Sequence, residues 1–208
     1  MFTKKIIILV LILLASFSQL VGAKTNYNKS VLTVEADESL EWFEKEKYYL
    51  AKGNVILKKD GVTLKANMIR ADYVFENGEN ILKKIIAKEK VILTKENIKA
   101  TGQYMTYDLE DKIAKISGPF QTFTSPSGYL ESEKSITFDD VNNIAEAEGD
   151  VKIILSNKTI IYADNVKAYF KTANKSLKKA VAVGNVIIEN KTKGRKSKAD
   201  LGVYNSND

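Results

Sequence analysis

The stretch AKGNVIL, residues Ala51 to Leu57, has three further copies along the chain. They read AKEKVIL at 87–93, EGDVKI at 148–153 and VGNVII at 183–188. Each copy places apolar residues at every second position, which is the period of a β-strand with one buried face. A glycine two positions before the valine predicts a positive φ or a β-bulge where the strand bends. The sequence therefore predicts bent strands repeated along the chain.

The segments between these copies have the same alternation and are separated by turn-forming residues. Turns are predicted at 59–61, 76–78, 110–112, 125–128, 140–143 and 191–194. The stretch 83–90 is compatible with a short helix, but its strand-like neighbours favour a strand. Repeated hairpins that cannot bury an apolar face alone stack into one continuous core. The pattern predicts an all-β antiparallel fold, either a β-solenoid, an elongated jelly roll or a curved two-sheet groove.

The composition argues against several classes of enzyme. The 208 residues include no cysteine and no histidine, which removes the commonest nucleophile, general base and metal ligands. Acidic pairs such as Glu131/Glu133 and Glu146/Glu148 are expected on solvated strand faces, where polar residues predominate. We therefore predict no catalytic residue, no metal site and no cofactor.

The first 23 residues have the pattern of a secretory signal peptide. Lys4 and Lys5 precede an apolar run at 6–17, and Val21 and Ala23 occupy the −3 and −1 positions of a cleavage site. The run is short for a membrane span, which needs about 20 apolar residues. Cleavage would lower the net charge from +6 to +4. The predicted organisation is a signal peptide at 1–23 and one β-domain at 24–208, exported to the periplasm, with no nucleic-acid partner.

The order of short motifs behind this leader resembles the OstA-type domain of the LptA family of lipopolysaccharide transport proteins. The motifs are Ala36-Asp37, Gly53-Asn54-Val55, the segment ATGQYMTYDL at 100–109, and EGDV at 148–151. The resemblance implies a twisted, open β-jelly roll that holds lipid acyl chains in an apolar groove without catalysing a reaction. It also implies LptC-like and LptD-like β-jelly-roll domains as partners, joined by edge-strand addition, and allows a head-to-tail homo-oligomer.

Two sets of residues follow from the alternation and the resemblance together. The apolar residues predicted to line the groove are Leu32, Val34, Val91, Leu93, Tyr107, Leu109, Phe120 and Phe138. The predicted partner edges are the first strand, with Leu32, Val34 and Ala36, and a terminal strand at 186–189 or 201–204, with Val186, Ile188 and Tyr204. An apolar residue on an inner strand face is ordinarily core, so each groove residue has that alternative interpretation.

Two other functions remain open at the level of sequence. An LptC-like protein would keep residues 6–22 as an inner-membrane anchor. An exported β-solenoid that acts on polysaccharide would need charged side chains clustered in an exposed groove.

Overall fold

The computed structural model describes residues 32–126, 128–156, 158–173 and 177–205, which form fourteen β-strands. The strands are β1 (Thr33–Glu35), β2 (Ser39–Phe43), β3 (Tyr48–Lys59), β4 (Val62–Glu76), β5 (Glu79–Lys95), β6 (Ile98–Asp108), β7 (Ile113–Ser117), β8 (Gln121–Ser125), β9 (Gly128–Ser132), β10 (Ser135–Asp139), β11 (Ile144–Leu155), β12 (Thr159–Phe170), β13 (Leu177–Asn190) and β14 (Arg195–Asn205). The all-β, antiparallel jelly-roll prediction is confirmed, as is the strand at 83–90. The predicted leader at 1–23 lies outside the described residues.

The strands form one sheet that is folded into two layers. Layer A contains β2, β7, β10 and the halves of the long strands that pair in register with them. Layer B contains β1, β8, β9 and the other halves of the same long strands. Both layers contribute buried side chains to a common cluster, so they face each other across the interior.

The layers join at a row of corners, and the repeated motif explains them. Register shifts interrupt the pairing between Lys52 and Val55 in β3 and at the equivalent points of β4, β5, β11, β12 and β13. Gly53 has φ +81° and Asn54 φ +42°, and the Gly149 and Gly184 corners repeat this pair. Positive φ favours glycine, and two consecutive residues with positive φ change the direction of the strand. The predicted bulge at the Gly-x-Val motif is therefore confirmed.

The second copy of the motif has the same geometry without glycine. Glu89 has φ +62° and Lys90 φ +54°, so two ordinary side chains occupy left-handed backbone. We expect Glu89→Gly to stabilise the protein by about 1 kcal/mol, because left-handed backbone costs a residue with a Cβ about 1–2 kcal/mol. The gain is reduced by loss of the 3.1 Å hydrogen bond from Asn67 Nδ2 to Glu89 Oε2. Urea unfolding of the variant measures the effect, and a destabilised Glu89→Gly protein would contradict this account of the corner.

Three rows of interior side chains run across the whole sheet, because directly paired residues share a face. We call them rungs. The layer A rung is Leu40, Ala51, Ile69, Ala87, Met105, Ile116, Ile136, Ala147, Val166, Ala182 and Gly202. The mouth rung, farther from the corners in layer A, is Trp42, Tyr49, Ala71, Ile85, Tyr107, Ala114, Phe138, Ala145, Ala168, Ala180 and Tyr204. The layer B rung is Val34, Leu57, Leu64, Leu93, Ala100, Phe123, Leu130, Ile153, Ile161, Ile188 and Ser197.

Each rung is buried in the middle and exposed at its first end, whereas Gly202 and Tyr204, at the last ends of the layer A and mouth rungs, are half-buried. In the layer B rung, Phe123 is 2% exposed, whereas Val34 is 37% and Ile188 is 40% exposed. In the layer A rung, Ile116 is fully buried, whereas Leu40 is 63% exposed. The apolar interior therefore reaches the surface at both ends of the folded sheet.

Candidate functional site

Many of the interior side chains between β11 and β14 are small, although Phe170 and Leu177 are large and buried. The small residues are Ala145, Ala147, Ala163, Ala168, Ala180, Ala182, Ala199 and Gly202. The same rungs carry leucine, isoleucine, methionine and tyrosine between β3 and β7. Packed sheets lie about 10 Å apart, so small residues on facing layers leave room that larger side chains fill elsewhere.

The buried side chains of this half separate into two clusters. Between β3 and β8, both layers contribute to a single cluster that includes Val55, Ile69 and Phe123. From β11 onward, Ala145, Ala168, Phe170 and Leu177 remain in that cluster, whereas the layer B side chains of β11 form a second one with Ala147 beside the corner. Half-buried Leu130 contacts both clusters. The layers thus pack together along the corners but share fewer buried contacts away from them. We call this interior from β11 to β14 the trough.

The predicted groove residues fall into three environments. Val91, Leu93 and Phe138 are buried and covered by neighbouring side chains. Leu32 and Val34 are exposed at the first edge, and Val34 ends the layer B rung. Tyr107 is half-buried on the mouth rung, and burial is the main cause of the raised pKa of its hydroxyl. Phe123 in the closed middle and Ala180 in the trough were not predicted as site residues, because the alternation shows which face a residue is on but not where it lies along the sheet.

Phe120 and Leu109 differ from the expectation. Phe120 is 63% exposed and lies between β7 and β8 with φ +66°, so it is on the surface and not in the interior. Its prediction was wrong because the strand alternation stops after Gly118, which ends β7 with a turn. Leu109 is half-buried in the turn after β6, where its backbone N–H donates to the Lys83 carbonyl at 2.9 Å.

Both ends of the sheet have a strand without a neighbour on one side among the described residues. At the first end these are β1 in layer B and β2 in layer A, each paired only with β3. At the last end β14 pairs only with β13 and borders both layers. Tyr204 lies on this free edge, as predicted. Val186 and Ile188 do not, because β13 is hydrogen-bonded to β12 and to β14; of the two proposed terminal edges, the structure has the one at 201–204. Ala36 follows β1 and packs against the core at the corner.

The comparison with known families agrees with this arrangement. A profile of the LptA and LptD N-terminal-domain family, described as LPS transport proteins, matches residues 33–134. Over this segment, which is just under half of the chain, the protein is similar to the LptA/OstA-like family. The matched segment runs from β1 past the end of β9, and β11 to β13 repeat its corner geometry beyond it. No curated protein matches the chain.

One solved structure has a low degree of similarity to the chain. It is that of LptH, described as the LptA homologous periplasmic component of the lipopolysaccharide transport device from Pseudomonas aeruginosa. The two chains are 11% identical, with a TM-score of 0.31, over 86% of this chain and 97% of LptH. A likeness of this size assigns no role to any residue.

Aromatic side chains form the rim at the first end of the interior. Trp42 is 58% exposed and stacks on Tyr49, with ring centroids 6.1 Å apart. The Trp42 indole N–H donates to the Tyr73 hydroxyl at 2.7 Å, and the Asn80 amide donates to the Tyr49 hydroxyl at 2.6 Å. Tyrosine and tryptophan suit a boundary between apolar and wet surroundings, because each carries one polar atom on an apolar body. These contacts hold the rim of the interior in a fixed arrangement.

Two of the acidic residues discussed above, Glu131 and Glu146, form hydrogen bonds or ion pairs on the outer faces of the sheet. Glu131 accepts hydrogen bonds from the Tyr129 hydroxyl at 2.7 Å and from Lys152 at 3.1 Å. The bond from Tyr129 is the main reason why the pKa of Glu131 is lowered, so this carboxyl stays ionised and is unsuited to donate a proton. Glu146 pairs with Lys167 at 3.3 Å.

Neither a metal-ligand cluster nor a membrane-spanning helix occurs in the part of the chain that the structure describes. No group of three or more acidic, cysteine or histidine residues within 32–126, 128–156, 158–173 and 177–205 is placed to hold a metal ion. Over the same ranges, no helix has the length and hydropathy that a membrane span requires.

Proposed function

We propose that this protein is a periplasmic, non-enzymatic carrier that holds the acyl chains of lipopolysaccharide in its apolar interior and passes the lipid between the inner and outer membranes. The proposal rests on the way in which the three rungs change from buried to exposed along the sheet. They form an apolar interior that is closed in the middle, separates into two clusters between β11 and β14, and reaches the surface at Val34 and Leu40 at the first end and at Ile188 at the last.

Lipid acyl chains match the chemistry of this interior. Transfer of a buried CH₂ group out of water is worth about 0.8 kcal/mol, so a carrier needs a long apolar surface and few polar groups. The rungs from β11 to β14 offer such a surface, on which Ile188 is exposed and Ala180 is half-buried. Val91, Leu93 and Phe138 would meet lipid only if the two layers move apart, so we assign the first contact to the trough.

The free edges support assembly with similar domains. Unpaired strands normally invite uncontrolled pairing, and exported proteins that keep them use them for strand addition. β14 at one end and β1 with β2 at the other suit LptC-like and LptD-like β-jelly-roll partners or a second copy of the chain. Each joint of this kind would continue the apolar rungs from one domain into the next.

Binding of purified protein to three ligands tests the proposal. We expect lipopolysaccharide and its isolated lipid moiety to bind, and the same polysaccharide without its lipid not to bind. An immobilised-ligand assay with detergent-free protein measures all three. Binding of the delipidated polysaccharide alone would refute a lipid carrier and favour the exported glycan-acting protein considered above. Sequencing of the mature N-terminus separates a carrier that begins at Lys24 from an LptC-like anchored protein.

A further inference from the structure

The two margins of the interior, where the hairpins of each layer end opposite the corners, carry opposite charge. The layer A margin includes nine acidic and five basic residues, and the layer B margin includes eight basic and three acidic residues. The layer A margin consists of the hairpin ends 43–48, 75–80, 108–113, 139–144, 170–173 and 177–178, and the layer B margin consists of 58–62, 94–98, 124–126, 128–129, 155–156, 158–159 and 189–196. The opening between the layers therefore has an acidic side and a basic side.

The positive charge of the layer B margin is concentrated beside the trough. The Lys191 backbone N–H donates to the Lys158 carbonyl at 3.4 Å, so the β11–β12 and β13–β14 hairpin ends lie side by side. Together the residues 158–159 and 189–196 include five basic residues and one acidic residue, Glu189. A cluster of exposed cations therefore borders the apolar surface proposed to hold lipid.

Glu189 neutralises only part of this cluster. It pairs with Lys191 at 2.8 Å and with Lys196, and these two contacts lower its pKa to about 2. Lys158, Lys193 and Arg195 are exposed and form no ion pair with any residue that the structure describes. Three cations are thus left to interact with an external anion.

A row of polar residues joins the cations to the trough. Thr159 pairs with Asn190 and Asn190 pairs with Arg195, two residues beyond the last members of the layer B rung, so the row has the same inward face as that rung. The Asn190 side-chain amide donates to the Thr159 hydroxyl at 3.1 Å, and its oxygen accepts from the Lys193 backbone N–H at 2.9 Å. These bonds fix the backbone that holds Lys193 and Arg195 at the point where the apolar surface ends.

We propose that Lys158, Lys193 and Arg195 bind the phosphate groups of a lipid headgroup whose acyl chains lie in the trough. A guanidinium group matches phosphate oxygens with two parallel hydrogen bonds, and an ammonium group adds a compact positive charge. The site is open to water, so a charged headgroup keeps part of its hydration while the chains are buried. On the other side of the opening, the acidic layer A margin repels phosphate, because like charges brought together are costly. The headgroup therefore leaves the interior over layer B.

This inference rests on the proposed function, because it needs the acyl chains to lie in the trough. It adds a preference among lipids with the same chains, in favour of those that carry phosphate. An exposed ion pair changes an affinity by a factor of up to about five, so three cations together favour the phosphorylated lipid by about tenfold.

A comparison of two lipids and three proteins tests the inference. The lipids are the phosphorylated lipid moiety of lipopolysaccharide and the same molecule after enzymatic removal of its phosphates. The variant replaces the three cations (Lys158→Gln, Lys193→Gln, Arg195→Gln). In equilibrium binding at about 0.1 M salt, where the Debye length is about 10 Å, we expect the native chain to bind the phosphorylated lipid about tenfold more tightly than the dephosphorylated one. The variant should lose this preference and bind the dephosphorylated lipid as the native chain does.

The matched control replaces three exposed lysines away from both margins (Lys65→Gln, Lys90→Gln, Lys115→Gln), with the same change in net charge. It should keep the native preference, and that preference should shrink in about 1 M salt, where the Debye length is about 3 Å. Inorganic phosphate at the concentration of the lipid should not displace it, and phosphatidylglycerol vesicles should bind more weakly than the phosphorylated lipid.

The outcomes separate this inference from the proposed function. Equal binding of the two lipids by the native chain, a control that loses the preference, displacement by inorganic phosphate, or equally tight binding of the vesicles would each overturn the phosphate site. In each of these cases the lipids still bind, so a carrier of acyl chains stands. A native chain that binds neither lipid would contradict the proposed function itself.

Discussion

Alanine in place of Phe123 is expected to lower the free energy of unfolding by about 3–5 kcal/mol, the usual cost of removing a buried aromatic ring. Phe123 lies at the centre of the layer B rung, is 2% exposed, and packs with Phe138 at a ring-centroid distance of 5.8 Å. Its ring also joins the two layers where the interior is closed. Urea unfolding followed by tryptophan fluorescence and by circular dichroism measures the change.

The control for this prediction is Ile188→Ala on the same rung. Ile188 is 40% exposed at the open end, so less of its surface is buried by the folded chain. We expect a loss below about 1 kcal/mol, because the cost of truncation follows the apolar area that folding removes from water. Equal losses at Phe123 and Ile188 would mean that the rung is not closed in the middle and open at its end.

The second large effect is expected at Ala180, where phenylalanine should weaken lipid binding by about 30-fold. Ala180 lies on the mouth rung between Ala168 and Tyr204 and is half-buried. A ring at this position occupies the space left by the small residues, and the loss of two or three CH₂ contacts at about 0.8 kcal/mol each gives a change of this size. Equilibrium binding of lipopolysaccharide to the variant measures it.

Val181→Phe is the matched control, because residue 181 is the next one on the same strand and points to the outer face. Its binding should equal that of the native chain. Unfolding midpoints of both variants identify any general loss of structure. If both substitutions weaken binding equally, the lipid does not lie in the trough.

The sequence predicted the strands and corners well because both depend on local rules. The alternation of Val55 and Leu57, with Gly53 ahead of them, determines a buried face and a bend within seven residues. At Glu89-Lys90 the backbone keeps positive φ although glycine is missing, so there the repeat of the strand pattern, and not a glycine, indicates the corner. Local sequence was therefore sufficient for the fold class and for most of the turns.

The position of each residue along the sheet was harder to predict, because it depends on the complete strand order. Leu93 and Ile188 have similar patterns in sequence, but Leu93 lies in the closed middle of the layer B rung and Ile188 at its open end. Likewise, the sequence could not decide whether β13 or β14 is the last strand of the sheet. The small residues of the trough were not predicted to bind lipid, because an alanine on an inner face indicates free space only when the side chains of the facing layer are known.

Photo-crosslinking in cells at Ile188 and, separately, at Ile187 tests the central claim most directly. The two residues are neighbours of the same type on β13, and they point to the interior and to the outer face respectively. We predict that a crosslinker at position 188 captures lipopolysaccharide and that one at position 187 does not. Capture at both positions to the same extent, or at 187 alone, would contradict a lipid held between the two layers.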